Sequence, residues 1–246
     1  AYTSSFPAQM RWEMMNDDVE EARLGLNLPL AFANGSALNL SAGASQLRRA
    51  RESEIWRYTV RHNVRPPNTA TPIEYILRPE AIDSGAIELM SASRPTDFYH
   101  AEQTVEALYA RADVTVGNLR LDVGARHESN DQQVITQDPF VPDALPTIAK
   151  IEGSDTLPSA TATWAYSDNA QWRMSWNRTL ARPEFRELSP APYTDPALDI
   201  TVVGNPDLQQ TRITSLDLRW EYYFSGTDSL SVALFRKEFD DPIELV

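Results

Sequence analysis

The chain contains no cysteine, so disulfides and thiolate metal sites are excluded. Nor does it carry a basic excess. Lys and Arg number 22 against 35 Asp and Glu, a net charge of -13, which argues against binding nucleic acid by phosphate neutralisation. No stretch approaches the roughly 20 apolar residues of a membrane helix. That test is blind to membrane β-barrels, whose strands are only half apolar. Histidine is scarce. His62, His100 and His127 are scattered, and none has metal-ligand spacing to a second histidine or a carboxylate pair. The G-x-S-x-G, Walker A and G-x-G-x-x-G patterns are missing. Neighbouring carboxylates such as Asp17-Asp18, Glu20-Glu21 and Asp240-Asp241 read as solvated loop charge before they read as a Ca²⁺ or acid–base site. The expectation is therefore no catalytic residue, no metal ligand and no cofactor: not an enzyme, and no nucleic-acid partner.

What is present is period-two alternation. A length of 246 residues suits one large β domain or two small ones. Four segment pairs share one design, two alternating runs joined by a short polar turn. In Glu20–Phe32, Ala22, Leu24, Leu26, Leu28, Leu30 and Phe32 share one face and Arg23, Gly25, Asn27 and Pro29 the other. Asn34-Gly35-Ser36 turns the chain into Ala37–Arg48. Gln103–Val116 and Asn118–Glu128 form the second pair, Ser159–Tyr166 and Gln171–Leu180 the third, Ile213–Phe224 and Ser229–Lys237 the fourth. A helix would place Leu24 and Leu26 on different faces. Each run is about 9–12 residues, enough to cross a bilayer as a tilted strand.

Connections within a pair are tight. Those between pairs are long, roughly 52–102, 129–158 and 181–212. Compact soluble domains rarely carry several such connections, whereas outer-membrane barrels pair short periplasmic turns with long extracellular loops. Phe32, Trp164, Tyr166, Trp172, Tyr222 and Phe224 lie beside the short turns on the apolar face, as an interfacial aromatic girdle does. The opposite face carries Arg23, Arg111, Asp113, Arg120, Asp122, Arg126, Asp217, Arg219 and Glu221. Charge of both signs there needs a hydrated or plugged lumen, because unpaired buried charge costs several kcal/mol per group. The competing reading is an antiparallel β-sandwich with one wet face, a soluble binding module.

Three stretches carry a family likeness: Ser175-Trp176-Asn177-Arg178-Thr179-Leu180-Ala181-Arg182-Pro183-Glu184-Phe185-Arg186-Glu187-Leu188-Ser189-Pro190, then Gly204-Asn205-Pro206-Asp207-Leu208, then Leu216–Phe224 running into Phe239-Asp240-Asp241-Pro242-Ile243-Glu244. Strand, R-P-x-F-x-E-L, loop, G-N-P-x-L and aromatic-rich strand, in that order, resemble the barrel of TonB-dependent outer-membrane receptors. The specific match covers the last third of the chain. On residues alone, Arg182-Pro183 ends a strand and Asn205-Pro206 starts a turn, which fixes a loop's path at the rim.

The resemblance implies an all-β fold: an antiparallel meander of about eight strands, an open curved section of a 22-stranded type barrel with long extracellular loops. Residues 1–246 are then expected to be part of the barrel, with the plug domain, the TonB-contacting motif and the remaining strands outside it. The implied setting is the bacterial outer membrane. The implied partners are outer-membrane lipid, the receptor's own plug domain, the TonB complex through the N-terminal part, and a siderophore, cobalamin or oligosaccharide ligand. Candidate ligand contacts on the loops are Trp56, Tyr75, Phe140, Arg182 and Tyr193. A passive or adhesive outer-membrane barrel without TonB coupling is the alternative.

Overall fold

The computed structural model describes residues 9–63, 77–137, 143, 145–190, 192–195 and 200–245. The strands are β1 (Gln9–Ala31), β2 (Ala37–His62), β3 (Ile87–Ser91), β4 (Phe98–Val116), β5 (Leu119–Thr136), β6 (Thr147–Ser167), β7 (Ala170–Ala181), β8 (Pro192–Asp195), β9 (Ile200–Val203), β10 (Thr211–Tyr223) and β11 (Ser229–Asp240). One sheet runs β1-β2-β4-β5-β6-β7-β10-β11, every neighbour antiparallel. The short β3 adds to the far tip of β2, and β8 pairs β9 as a separate hairpin. The sheet is open, with β1 and β11 as its edges.

The four expected hairpins are all present. Gly35 sits at φ +81° and Gly117 at φ +56°, where a side chain would be strained, so each turn is as tight as its glycine allows. In the first turn the Asn34 side-chain oxygen accepts from the Ser36 amide at 3.1 Å.

Register carries the alternation across the whole sheet. Leu30, Leu38, Val114, Leu121, Ala162, Met174, Leu218 and Leu234 lie side by side in one row, one from each strand. The adjacent row on the other face is Pro29, Asn39, Asp113, Asp122, Thr161, Ser175, Asp217 and Phe235. A one-residue slip anywhere would exchange these faces, so the pattern pins the register. The apolar rows form an outward band ending near Ala22 on β1, Ala44 on β2, Leu108 on β4 and Ala125 on β5. Among the described residues nothing covers this band: Leu24 is 70% exposed and Leu26 72%. Such a face suits acyl chains and not water, since leaving a leucine in water forgoes about 1.5–3 kcal/mol.

At the turn side of the band the expected aromatics cluster. Trp172 packs beside Trp220, Trp220 stacks on Tyr222, and Tyr222 meets Phe224 edge-on. The Trp220 indole donates to the Tyr166 hydroxyl at 2.9 Å.

The lengths of the connections differ from the sequence expectation. Many of the residues read as loop are strand: β2 runs 26 residues and β1 23, well past the band. The connection after β5 shrinks to 137–146, and those after β2 and β7 to 63–97 and 182–210. Above the band the outward side chains turn polar, as with Asp18, Glu20, Glu102 and Glu106. The outward apolar stripe that marked the strands in the band is lost there, while the hydrogen-bond ladder continues.

Candidate functional site

The inner face divides into two zones. Beside the short turns it is a field of paired charges. Arg111 on β4 clasps Asp122 on β5 through both Nε and Nη2, and Arg120 on β5 reaches back to Asp113 on β4 at 2.6 Å. Arg219 and Glu221 pair at 2.9 Å. Each of these six charges has its opposite on the same wall, so together they can meet water or a polar body at little cost. On the other side of β4 Tyr109 lies over Gly43 of β2 and Gly25 of β1, which share its register row. A Cβ at Gly43 would run into the Leu24 carbonyl oxygen and stand 2.6 Å from the Tyr109 ring, so glycine there admits both the neighbouring strand and the ring.

Further from the turns the inner face changes character, and a loop folds onto it. Directly after β7, residues 182–189 turn inward through a four-residue helix, Phe185–Leu188. Phe185 and Leu188 are almost wholly buried against Tyr99, Ala101, Val134, Ala149 and Ile151 of β4, β5 and β6. Arg49 and Arg51 of β2 sit over the Phe185 ring at 5.0 and 5.5 Å. Polar ties surround this core. Gln132 donates to the Pro183 carbonyl at 2.8 Å, Thr136 and Ser189 hydroxyls lie 3.3 Å apart, and Arg49 and Arg186 reach Glu184 and Glu13. Arg182 donates to Glu128 at 2.7 Å, and Arg126 binds the other oxygen of the same carboxylate.

Two carboxylates in this zone, both beyond the apolar band, are held ionised. The Arg49 side chain, joined by Arg51, pulls Asp17 far below the usual carboxylate range, against the opposing pull of burial. At Glu128 burial is the largest influence and pushes upward. The guanidiniums of Arg126 and Arg182 outweigh it together, so the net shift is downward.

The five sequence candidates do not converge. Arg182 is at the foot of the docked turn, facing the inner wall. Trp56, expected on a loop, is in strand β2. It is in register with Trp12, meets Phe98 edge-on at 5.1 Å and donates to Glu54. Its parity with Ala42 and Ala44 turns it away from the inner face, so the loop assignment is corrected. Tyr193, likewise expected on a loop, is in strand β8. Tyr75 and Phe140 lie outside the described residues. Sequence reasoning missed Asp17, Arg49 and Arg51. The visible signal was a reversal of parity. On β4 the apolar residues are Leu108, Ala110 and Ala112 in the band but Tyr99, Ala101 and Val105 beyond it.

A family model described as TonB dependent receptor-like, beta-barrel matches residues 3–246. The chain belongs to this family. No curated protein sequence matches it. Among solved structures, the ferric citrate transporter FecA in its unliganded form is 12% identical with a TM-score of 0.61, over 94% of this chain and 29% of that one. The siderophore receptor PiuA from Acinetobacter baumannii is 11% identical, TM-score 0.59, over 91% and 32%. The ferric-catecholate import receptor Fiu from E. coli K12, in its open form, gives 12% and 0.51, over 92% and 31%. At such identities the likeness is one of fold. The chain spans about a third of the length of these receptors. The TonB-dependent receptor barrel thus accounts for both faces: the apolar band outside and the paired charges within.

Proposed function

We propose that this chain forms part of the wall of an outer-membrane receptor for energy-coupled, TonB-dependent uptake of a scarce large nutrient. Siderophores come first among the ligand classes, because FecA, PiuA and Fiu carry ferric citrate or siderophore names. Cobalamin and oligosaccharides are the other two. The observation that carries the reading is the split inner face. The self-paired zone of Arg111, Asp122, Asp113 and Arg120 suits a lumen filled by a plug domain. The zone beyond it carries a loop folded inward, where an incoming ligand arrives. On this reading the residues of the receptor outside this chain supply the plug and the TonB contact.

The test is uptake by the full-length receptor in a Gram-negative host stripped of its own receptors, with TonB present or deleted. Iron-loaded citrate, catecholate and hydroxamate chelates, cobalamin and maltooligosaccharides are the probes. Uptake of one probe that stops when TonB is removed supports the proposal. Uptake indifferent to TonB marks a passive barrel, and no uptake of any probe counts against transport.

A further inference from the structure

The connection between β7 and β10 is welded to the inner wall at both of its ends. Its first foot, residues 182–189, buries Phe185 and Leu188 at 1% and 0% exposure. Its second foot, residues 204–208, closes against the first. The Asn205 amide donates to the Glu187 carbonyl at 2.6 Å, and Leu208 packs on the same apolar cluster. Gly204 is at the seam. A Cβ there would run into the carbonyl oxygens of Arg186, Glu187 and Ser189 at once, so only glycine lets the feet meet. The ties run to β1, β2 and β5, through Glu13, Arg49, Glu128, Gln132 and Thr136.

We propose that these two feet form a docked shelf that is a stable part of the lumen wall, not the base of a swinging loop. Local opening is cheap where few apolar contacts and many exposed hydrogen bonds are at stake. Here two fully buried side chains, the buried Gln132 and Thr136 ties and the Arg182–Glu128 pair must all be released together. The shelf narrows the lumen over β4, β5 and β6, so ligand passage in the extracellular half is displaced toward the opposite side. It also fixes Arg182 beneath it, held by Glu128 above a polar recess shared with Gln103 and Arg126. This inference rests on the inner face being a lumen, and it needs neither a ligand nor TonB for its test.

The test is hydrogen–deuterium exchange on the full-length receptor in detergent micelles with no ligand added. The expected result is that amides of 185–189 and of Gly204, Asn205, Asp207 and Leu208 exchange within about tenfold of those in β5. Phe185→Ala is expected to speed exchange in both feet by about tenfold or more, with β5 and β6 still protected. Gly204→Ala, which leaves the wall untouched, is expected to do the same to 185–189, and it stands in if Phe185→Ala fails to fold. Wild-type feet that exchange at the rate of open loops overturn the shelf. Feet whose exchange neither substitution alters overturn the assignment of Phe185 and Gly204 as its anchors. A failure of uptake leaves these exchange results standing, so the two proposals fall separately.

Discussion

Replacing Leu218 with arginine puts the face assignment at risk in a single substitution. Leu218 is five positions in from the turn-side end of β10 at Tyr223, on the row that also carries Met174 and Leu234. At about 3.3 Å per residue and a tilt of about 40°, it stands roughly 13 Å above that end, near the middle of an apolar band about 25 Å tall. Arginine at that depth on the lipid face costs about 2–4 kcal/mol. In a folding equilibrium this is roughly 30- to 700-fold. Its neighbour Asp217 is on the opposite face, so Asp217→Asn is the matched control and should shift stability by less than about 1 kcal/mol. The assay is denaturant titration of the full-length receptor folded into phospholipid vesicles, with both variants in parallel. Equal shifts for Leu218→Arg and Asp217→Asn, or no shift for the first, would refute the claim that period two separates lipid from lumen.

Two further outcomes follow from the inner face. Gly43→Val should destabilise the barrel by about 1–3 kcal/mol, because the new side chain meets both the Leu24 carbonyl oxygen on β1 and the Tyr109 ring; pairing it with Tyr109→Ala in the same vesicle titration should leave part of the cost, since the backbone contact remains, and a double variant as stable as Tyr109→Ala alone would contradict that contact. Asp17 has a folded pKa far below its unfolded value, so its contribution is full above the ordinary carboxylate range and is lost as pH falls through the folded pKa. Thermal unfolding should therefore show a gap between wild type and Asp17→Asn at neutral pH that narrows only in strong acid; a gap that is constant down to the most acidic condition tested would contradict the Arg49–Asp17 tie.

Much of the spanning half was legible because each physical demand there leaves a mark on the sequence. Lipid outside and water inside impose strict alternation on Leu24 to Phe32, and tight turns demand Asn34-Gly35 or Gly117-Asn118. The extracellular half was not legible in the same way. Strand residues such as Asp18, Glu20, Glu102 and Thr104 face water, so nothing in their hydropathy distinguishes ladder from loop. The shelf was harder still. Arg182-Pro183 marked a strand end and Asn205-Pro206 a turn. The burial of Phe185, however, depends on Tyr99, Val134 and Ile151, which are remote in sequence and meet it only once β4, β5 and β6 are side by side. The switch of apolar parity on β4 was the available clue, because a wall that becomes apolar on its inner face must have something folded against it.

The most direct test of the two-faced wall is a spin-label scan along β5 from Leu119 to Ala125 in the full-length receptor reconstituted in lipid. Labels at Leu121 and Val123 are expected to be relaxed by dissolved oxygen and shielded from a water-soluble paramagnetic reagent, and labels at Arg120 and Asp122 to show the reverse. Accessibility that does not alternate with period two along this stretch would contradict a strand with lipid on one side and a lumen on the other.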